Sequence, residues 1–157
     1  MIIKVIAVSK IKENYILKGI EEYTKRLKPY CKLKIKEVDA QKIKSSMPIE
    51  KIKDQEAEKI SQYVSSETCL IALDEHGKQL NSLEFAETLK NITETTGKNE
   101  ICFIIGGANG LSKGLLDKSD TVLALSKLTF PHQLARLILI EQLYRAFRII
   151  KGEPYHK

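Results

Sequence analysis

The sequence predicts an α/β protein built on a mostly parallel β-sheet with helices on both faces. Short apolar runs of strand length alternate along the whole chain with segments whose apolar residues recur at helical spacing. Five segments of each kind occur in 157 residues, without an internal repeat or a recognisable linker between them. We therefore expect a single domain over residues 1–157.

The first part of the chain is predicted to form two strands and two helices. Ile2–Val8 is typical of a buried strand, with Lys4 as its one charged residue, and Leu33–Val38 alternates as a strand does. The helix between them, which ends before Pro29, has its apolar positions at Ile16, Ile20, Tyr23 and Leu27. Asp39–Pro48 is polar and typical of a mobile loop. The helix that follows has its apolar positions at Ile49, Ile52, Ile60 and Tyr63.

The middle of the chain continues this alternation. Cys69–Leu73 is predicted to be the third strand, and Asp74–Leu80 is predicted to be a loop. Asn81 and Glu84 have the spacing of a helix-capping pair, and the helix that they begin ends near Gly97. Its apolar positions are Phe85, Leu89 and Ile92.

The last part of the chain is predicted to contain the strands Glu100–Ile105 and Thr121–Ser126, the short helix Leu111–Lys118 and the longest helix, Gln133–Lys151. The apolar positions of the longest helix exceed the ~100° stripe that packing on one sheet requires. They are Leu134, Leu137, Ile138, Leu139, Ile140, Leu143, Tyr144, Phe147, Ile149 and Ile150. We therefore expect a second copy of the chain to cover another side of this helix in a homodimer.

Composition excludes several classes of protein. No apolar run approaches the ~18–20 residues that span a bilayer, and Met1–Val8 is too short for a signal-peptide core. Cys69 and Cys102 lie in apolar runs and are expected in the core, and the wide spacing of the three cysteines supports no zinc or redox motif. These features indicate a cytoplasmic protein.

Positive charge is concentrated near the N-terminus. Residues 1–44 contain eleven Lys and one Arg against five acidic residues, whereas residues 45–157 contain fourteen basic and fifteen acidic residues. A surface of this kind can hold a polyanion through counterion release, although a solvated lysine-rich surface is the alternative. Three of the four arginines are Arg136, Arg145 and Arg148. Their guanidinium groups suit phosphate, so this clustering favours nucleic acid.

Three loops are candidates for a binding site, because ligands of open α/β sheets bind beyond the carboxyl ends of the strands. They follow Leu73, Ile105 and Ser126. Gly106–Gly110 stands between a strand and a helix, where backbone N–H groups can face a ligand, and a simple tight turn is the alternative. Its glycines lack the spacing of the dinucleotide fingerprint, and the sequence has no Walker A motif.

The loop Leu125–His132 is unusual for a link between a strand and a helix. Pro131 favours extended backbone, whose N–H and C=O groups could contact an adenine edge above an apolar floor. The alternative is a structural loop in which His132 caps the long helix.

Charged and aromatic residues follow near the C-terminus. Glu141, Arg145 and Arg148 lie on one stripe of the long helix, where a surface ion pair is the default interpretation. The tail Pro154–Lys157 has the composition to stack on a base and contact phosphate, although most tails are frayed. His76 has no second well-spaced ligand, so we expect no metal site.

Four collinear motifs resemble those of the ribosomal RNA large subunit methyltransferase H family, a minimal member of the SPOUT, or trefoil-knotted, methyltransferases. They are Ile104–Gly110, Leu125–His132, Ile140–Ala146 and Pro154–Lys157. The resemblance implies a SPOUT-type fold with a C-terminal knot, a homodimer and S-adenosylmethionine held by backbone. The implied cofactor-binding residues are Leu73, Gly106, Leu125, Ser126, Lys127, Leu128, Thr129 and Phe130.

The resemblance also implies the substrate, N3 of a pseudouridine in the 23S rRNA hairpin that meets the decoding region of the assembled ribosome. N3 bears a proton, so transfer needs a proton acceptor or a group that stabilises the resulting anion. The catalytic candidates are His156, Glu141, Arg145 and Tyr155. The candidates for binding the substrate are His132, Arg136 and Lys157.

Two rival functions fit parts of the sequence. A catalytically silent RNA-binding or ribosome-binding factor would use the basic N-terminal third without binding a cofactor. A flavodoxin-like nucleotide-binding protein fits the alternation of strands and helices, but the loops support it poorly.

Overall fold

The computed structural model describes residues 1–42 and 46–155. Ten elements occur in these ranges. They are β1 (Ile2–Val8), α1 (Asn14–Leu27), β2 (Lys32–Val38), α2 (Ile49–Ser61), β3 (Cys69–Gln79), α3 (Ser82–Thr95), β4 (Glu100–Ile105), α4 (Lys113–Asp117), β5 (Thr121–Ala124) and α5 (His132–Ile150). The predicted loop Asp39–Pro48 lies partly outside the described residues.

The five strands form one parallel sheet in the order β2-β1-β4-β3-β5. The predicted α/β class is therefore confirmed. Both faces of the sheet are covered, because alternate residues of β1 enter different clusters. Ile3 and Val5 pack with residues of α1, α3 and α5, whereas Ile6 and Val8 pack with residues of α2 and α4. Each such side chain stabilises the fold by roughly 1.5–3 kcal/mol when fully buried.

The long helix α5 packs between α1 and α3 on one face of the sheet. This arrangement covers much of the apolar surface from which the sequence predicts a homodimer. The buried residues of α5 are Arg136, Leu139, Ile140, Leu143, Tyr144, Ala146 and Phe147. The neighbouring helices therefore account for burial on more than one side, and the homodimer stays a prediction.

The predicted loop Asp74–Leu80 is wrong, because β3 continues to Gln79. Leu73 and Lys78 both pair with Leu123 of β5, so residues 74–77 form a bulge between two stretches of the same strand. A Cβ atom at Gly77 would lie 2.6 Å from the backbone carbon of Leu123. Only glycine therefore lets the two strands approach this closely.

Other local predictions are confirmed. Asn81 and Glu84 form a complete capping box at the start of α3, and Cys69 and Cys102 are buried in the core with Cys31. Burial raises the pKa of the Cys102 thiol to about 12. No helix in residues 1–42 and 46–155 is long and apolar enough to cross a membrane.

Candidate functional site

A cavity of about 720 Å³ opens at the carboxyl ends of β3, β4 and β5. Its size lies within the range of sites that bind small molecules and cofactors. The predicted cofactor-binding residues that line it are Leu73, Gly106, Leu125, Ser126, Leu128, Thr129 and Phe130. Lys127 is exposed and is not among the lining residues. Three loops that are distant in sequence thus meet around one space.

The glycine segment Gly106–Gly110 forms a tight turn in the wall of this cavity. Gly107 and Gly110 make an isolated bridge, and Gly110 has a φ of 79°. A Cβ atom at Gly106 would lie 2.5 Å from the carbonyl carbon of Gly110. The two interpretations of the sequence therefore do not exclude one another, because the tight turn also brings bare backbone to the cavity.

The loop after β5 contributes apolar side chains to the wall of the cavity, those of Leu125, Leu128 and Phe130. Ser126 Oγ accepts a hydrogen bond from the backbone N–H of Leu128 at 2.9 Å. Pro131 has φ −53° and ψ 137°, so the chain remains extended up to the first residue of α5. Leu128 is 73% exposed and places an apolar side chain at the edge of the cavity.

His132 also lines the cavity, at the first position of α5. It does not cap the helix, because no side-chain capping bond is present at this end. Its Nε2 atom is buried and has no hydrogen-bond partner among the described residues. Burial, and then the charge of Arg136, lowers the pKa of His132, which favours a neutral ring. A buried neutral nitrogen without a partner is what a bound polar group would satisfy.

Arg136 is only 1% exposed, contrary to the prediction that it binds the substrate. Its Nη2 atom donates to the carbonyl oxygens of Val8 at 2.5 Å and Ser9 at 2.6 Å, and Nη1 donates to Glu37 at 3.0 Å. Ser9 has a φ of 74°, a strained value for a residue other than glycine. The guanidinium therefore ties α5 to the ends of β1 and β2 and has no free surface for RNA.

The structure brings three of the catalytic candidates together. Arg145 donates to Glu141 Oε1 through Nη2 at 2.6 Å, and the Tyr155 hydroxyl donates to the same oxygen at 3.3 Å. The Arg145 guanidinium lies 4.9 Å from the centre of the Tyr155 ring, which also packs at 4.8 Å against Tyr144. Burial, hydrogen bonding to Tyr23 and the charge of Glu141 together raise the pKa of Tyr155.

This cluster does not line the cavity. The last residue of α5 that lines the cavity is Ala135. Glu141 lies six residues later, about 9 Å further along the helix axis. Within one chain, the predicted cofactor loops therefore lie apart from the predicted catalytic residues Glu141, Arg145 and Tyr155. The remaining candidates, His156 and Lys157, lie outside the described residues.

Sequence reasoning missed a polar part of the cavity wall. Asp74, Glu75 and His76, which form most of the β3 bulge, line it together with Glu50 and Lys53 of α2. Asp74 Oδ1 accepts from the backbone N–H of His76 at 2.9 Å. Gly77, within a polar stretch beside a strand, was the sequence feature that could have indicated this bulge.

Comparison with protein families and individual proteins agrees with the resemblance found in the motifs. Residues 1–156 match the family described as "Predicted SPOUT methyltransferase". Two similar proteins are called Ribosomal RNA large subunit methyltransferase H. The one from Finegoldia magna is 50% identical and the one from Halothermothrix orenii is 49% identical, and both alignments cover 100% of each chain.

Among solved structures, a probable methylase family protein from Haemophilus influenzae Rd KW20 has the same fold. The two chains superpose with a TM-score of 0.55 at 16% identity, over 99% of this chain and 70% of that one. At this identity the likeness concerns the fold alone. It supports the SPOUT-type architecture predicted from the sequence.

Proposed function

Because this chain belongs to the SPOUT methyltransferase family, and within it to the ribosomal RNA large subunit methyltransferase H family, we propose that it methylates large-subunit rRNA. The methyl donor is S-adenosylmethionine, and the acceptor is N3 of a pseudouridine in 23S rRNA of the assembled ribosome. The observation that supports this proposal best is the cavity formed by the loops after β3, β4 and β5. A substrate on the ribosome implies a cytoplasmic enzyme.

The described residues fit the donor. The glycine turn brings backbone close to the cavity, and Leu73 and Phe130 provide apolar surface for an adenine ring. His132 Nε2 is a buried polar atom that a polar group of the donor could hydrogen-bond. Asp74 and Glu75 add negative charge, which suits a ligand with an ammonium and a sulfonium group. When bound, the donor supplies an electrophilic methyl group. The protein's task is to orient that methyl group towards the nucleophile.

Removal of the N3 proton requires a base or a group that stabilises the anion. One carboxylate oxygen of Glu141 accepts hydrogen bonds from Arg145 and Tyr155. The other oxygen accepts a hydrogen bond from the side-chain amide of Gln142 at 2.6 Å. Because both carboxylate oxygens are already occupied by donors, Glu141 has little free capacity to accept the N3 proton directly. We assign to Glu141 the role of holding Arg145 and Tyr155 in position. His156 is then the proton acceptor, and Arg145 and Lys157 stabilise the anion.

A homodimer would reunite the two halves of the site. The cluster of Glu141, Arg145 and Tyr155 lies away from the cavity of its own chain, so we propose that it serves the cavity of a partner chain. The exposed side chain of Leu128 offers apolar surface at the cavity for such a contact. The C-terminal knot and the single domain are part of the same proposal.

The main rival is a catalytically silent RNA-binding factor, which the basic N-terminal third favours. Calorimetry separates the two functions, because only the methyltransferase binds S-adenosylmethionine. We expect binding to the protein alone or together with ribosomes. Absence of binding under both conditions would leave the rival as the better account. A flavodoxin-like protein would instead bind flavin mononucleotide in the same titration.

A further inference from the structure

The edge strand β2 presents a row of lysines on one face of the sheet. Lys32, Lys34 and Lys36, which we call the lysine ladder, alternate along the strand and are all exposed. Residues two apart on one strand are separated by roughly 6.6 Å, so the ladder extends over roughly 13 Å. This spacing lets three ammonium groups reach different points along one extended polyanion.

The ladder has no ion-pair partner among the described residues. None of its lysines forms an ion pair with a residue in the described ranges. The carboxylate of Glu100 on the same face is already held by Lys4 at 2.7 Å and Thr68 at 3.0 Å. Glu37 lies on the opposite face and contacts Arg136. The ladder is therefore a patch of positive charge whose ammonium groups are not paired with a carboxylate in the described residues.

An aromatic ring lies beside this patch. The ammonium group of Lys36 is 4.4 Å from the centre of the Tyr63 ring, and the Tyr63 side chain is 39% exposed. Lys4 donates to the backbone carbonyl of Tyr63 at 3.1 Å, which fixes the chain at this point. Basic groups with an adjacent exposed ring are a combination that binds both phosphates and unpaired bases.

We propose that the lysine ladder and Tyr63 form a contact surface for the phosphate backbone of RNA. This inference rests on the proposed function and names the part of the chain that holds the rRNA away from the target base. β2 lies two strands from β4, the nearest strand that ends at the cavity, hence roughly 10 Å from the cavity edge. The ladder therefore contributes to ribosome affinity and leaves the transfer step itself unchanged.

Edge-strand lysines have another known use, because charge on an edge prevents pairing with other strands. That explanation predicts aggregation when the lysines are neutralised and no specific effect on RNA binding. The RNA explanation predicts a change in salt dependence, because each phosphate contact releases condensed counterions. Salt dependence therefore separates the two explanations.

The test compares two triple variants with equal loss of charge. The first is Lys32→Gln, Lys34→Gln and Lys36→Gln, and the control is Lys18→Gln, Lys90→Gln and Lys118→Gln at exposed positions elsewhere. Binding to ribosomes lacking the modification is measured between 50 and 200 mM KCl, about the range in which such affinities change most. Circular dichroism and analytical ultracentrifugation check that each variant is folded and not aggregated.

We expect the ladder variant to reduce the slope of log affinity against log salt by about 2, since each lost contact removes about 0.7–0.9. The KM for ribosomes should rise at least tenfold, with kcat at saturating ribosomes unchanged. The single variant Lys34→Gln should reduce the slope by about 0.7–0.9 if the triple variant does not fold. Tyr63→Leu should weaken binding without changing the slope.

Equal slopes for the ladder and control variants would overturn the inference. If the wild-type protein methylates ribosomes and the slopes are equal, the ladder assignment fails alone. If it binds ribosomes through the ladder but transfers no methyl group, the proposed enzyme fails and the contact surface stands. If it binds neither ribosomes nor RNA, both are wrong.

Discussion

The guanidinium of Arg136 lies 3.0 Å from the carboxylate of Glu37, 99 positions earlier in the sequence. The same carboxylate oxygen accepts the backbone N–H of Ile11 at 3.1 Å. Through these contacts the start of α5 is fixed to the end of β2 and to the loop after β1. Because α5 follows directly on the loop Leu125–Phe130, this ion pair also sets the position of one wall of the cavity.

Replacing Arg136 by Met should destabilise the protein strongly. The change leaves the carbonyl oxygens of Val8 and Ser9 and the Glu37 carboxylate without their donor. We expect a loss of about 2–4 kcal/mol in the free energy of unfolding, less than for a fully buried pair because the Glu37 side chain is 32% exposed. Urea denaturation measures it. Arg145→Met is the control, because the Arg145 side chain is 26% exposed against 1% for Arg136, and it should cost clearly less than Arg136→Met.

Replacing Gly106 by Ala should weaken donor binding at least tenfold. The new Cβ atom would lie 2.5 Å from Gly110, so the glycine turn must move away from its present position in the cavity wall. Gly114→Ala is the matched control, because a Cβ atom added there in α4 would have no neighbour within 4 Å among the described residues. The control should keep donor affinity and gain up to about 1 kcal/mol in stability. Calorimetry with S-adenosylmethionine would contradict this account if both variants bound equally well.

Acid should destabilise the fold through His132. Its pKa is lowered in the folded state by burial and by Arg136, so the unfolded chain binds more protons below about pH 6.5. The contribution of His132 to stability is therefore lost as the pH falls from about 6.5 through the folded-state pKa. His132→Gln should flatten this part of a stability profile measured by urea denaturation. An unchanged profile in the His132→Gln variant would contradict this prediction.

Deleting residues 155–157 should separate donor binding from catalysis. Tyr155 packs on Tyr144 and contacts Glu141, and it does not line the cavity. We expect the affinity for S-adenosylmethionine to remain nearly unchanged while methyl transfer is abolished. Calorimetry and a transfer assay on the same sample measure the two effects. Equal loss of both would show that the tail supports the cofactor site instead of the substrate.

The strands and helices could be predicted from the sequence wherever apolar residues repeat. Apart from Lys4, Ile2–Val8 is apolar because both of its faces are buried, and Asn81 with Glu84 forms a local capping pattern. The extension of β3 could not be predicted in the same way. Residues 74–79 have no apolar pattern, and the pairing of Lys78 and Gln79 with β5 keeps this stretch in the sheet. Tertiary pairing there outweighs local preference.

The site could be predicted in part. Loops that follow parallel strands must meet at one edge of the sheet, so the positions after Leu73, Ile105 and β5 could be named from the strand pattern. The burial of Arg136 could not, because its partners Val8 and Glu37 are 128 and 99 positions away and no local pattern links them. For the same reason, periodicity along α5 could not show that Glu141 lies outside the cavity.

The central claim is tested most directly by methyl transfer to the ribosome. Protein and methyl-labelled S-adenosylmethionine are incubated with ribosomes from a strain that lacks the modification, and the labelled RNA is digested and analysed by mass spectrometry. We expect label in 23S rRNA at a single pseudouridine, on N3, and none with the Gly106→Val variant. Label on another base, on small-subunit RNA or on no RNA at all would contradict the proposed function.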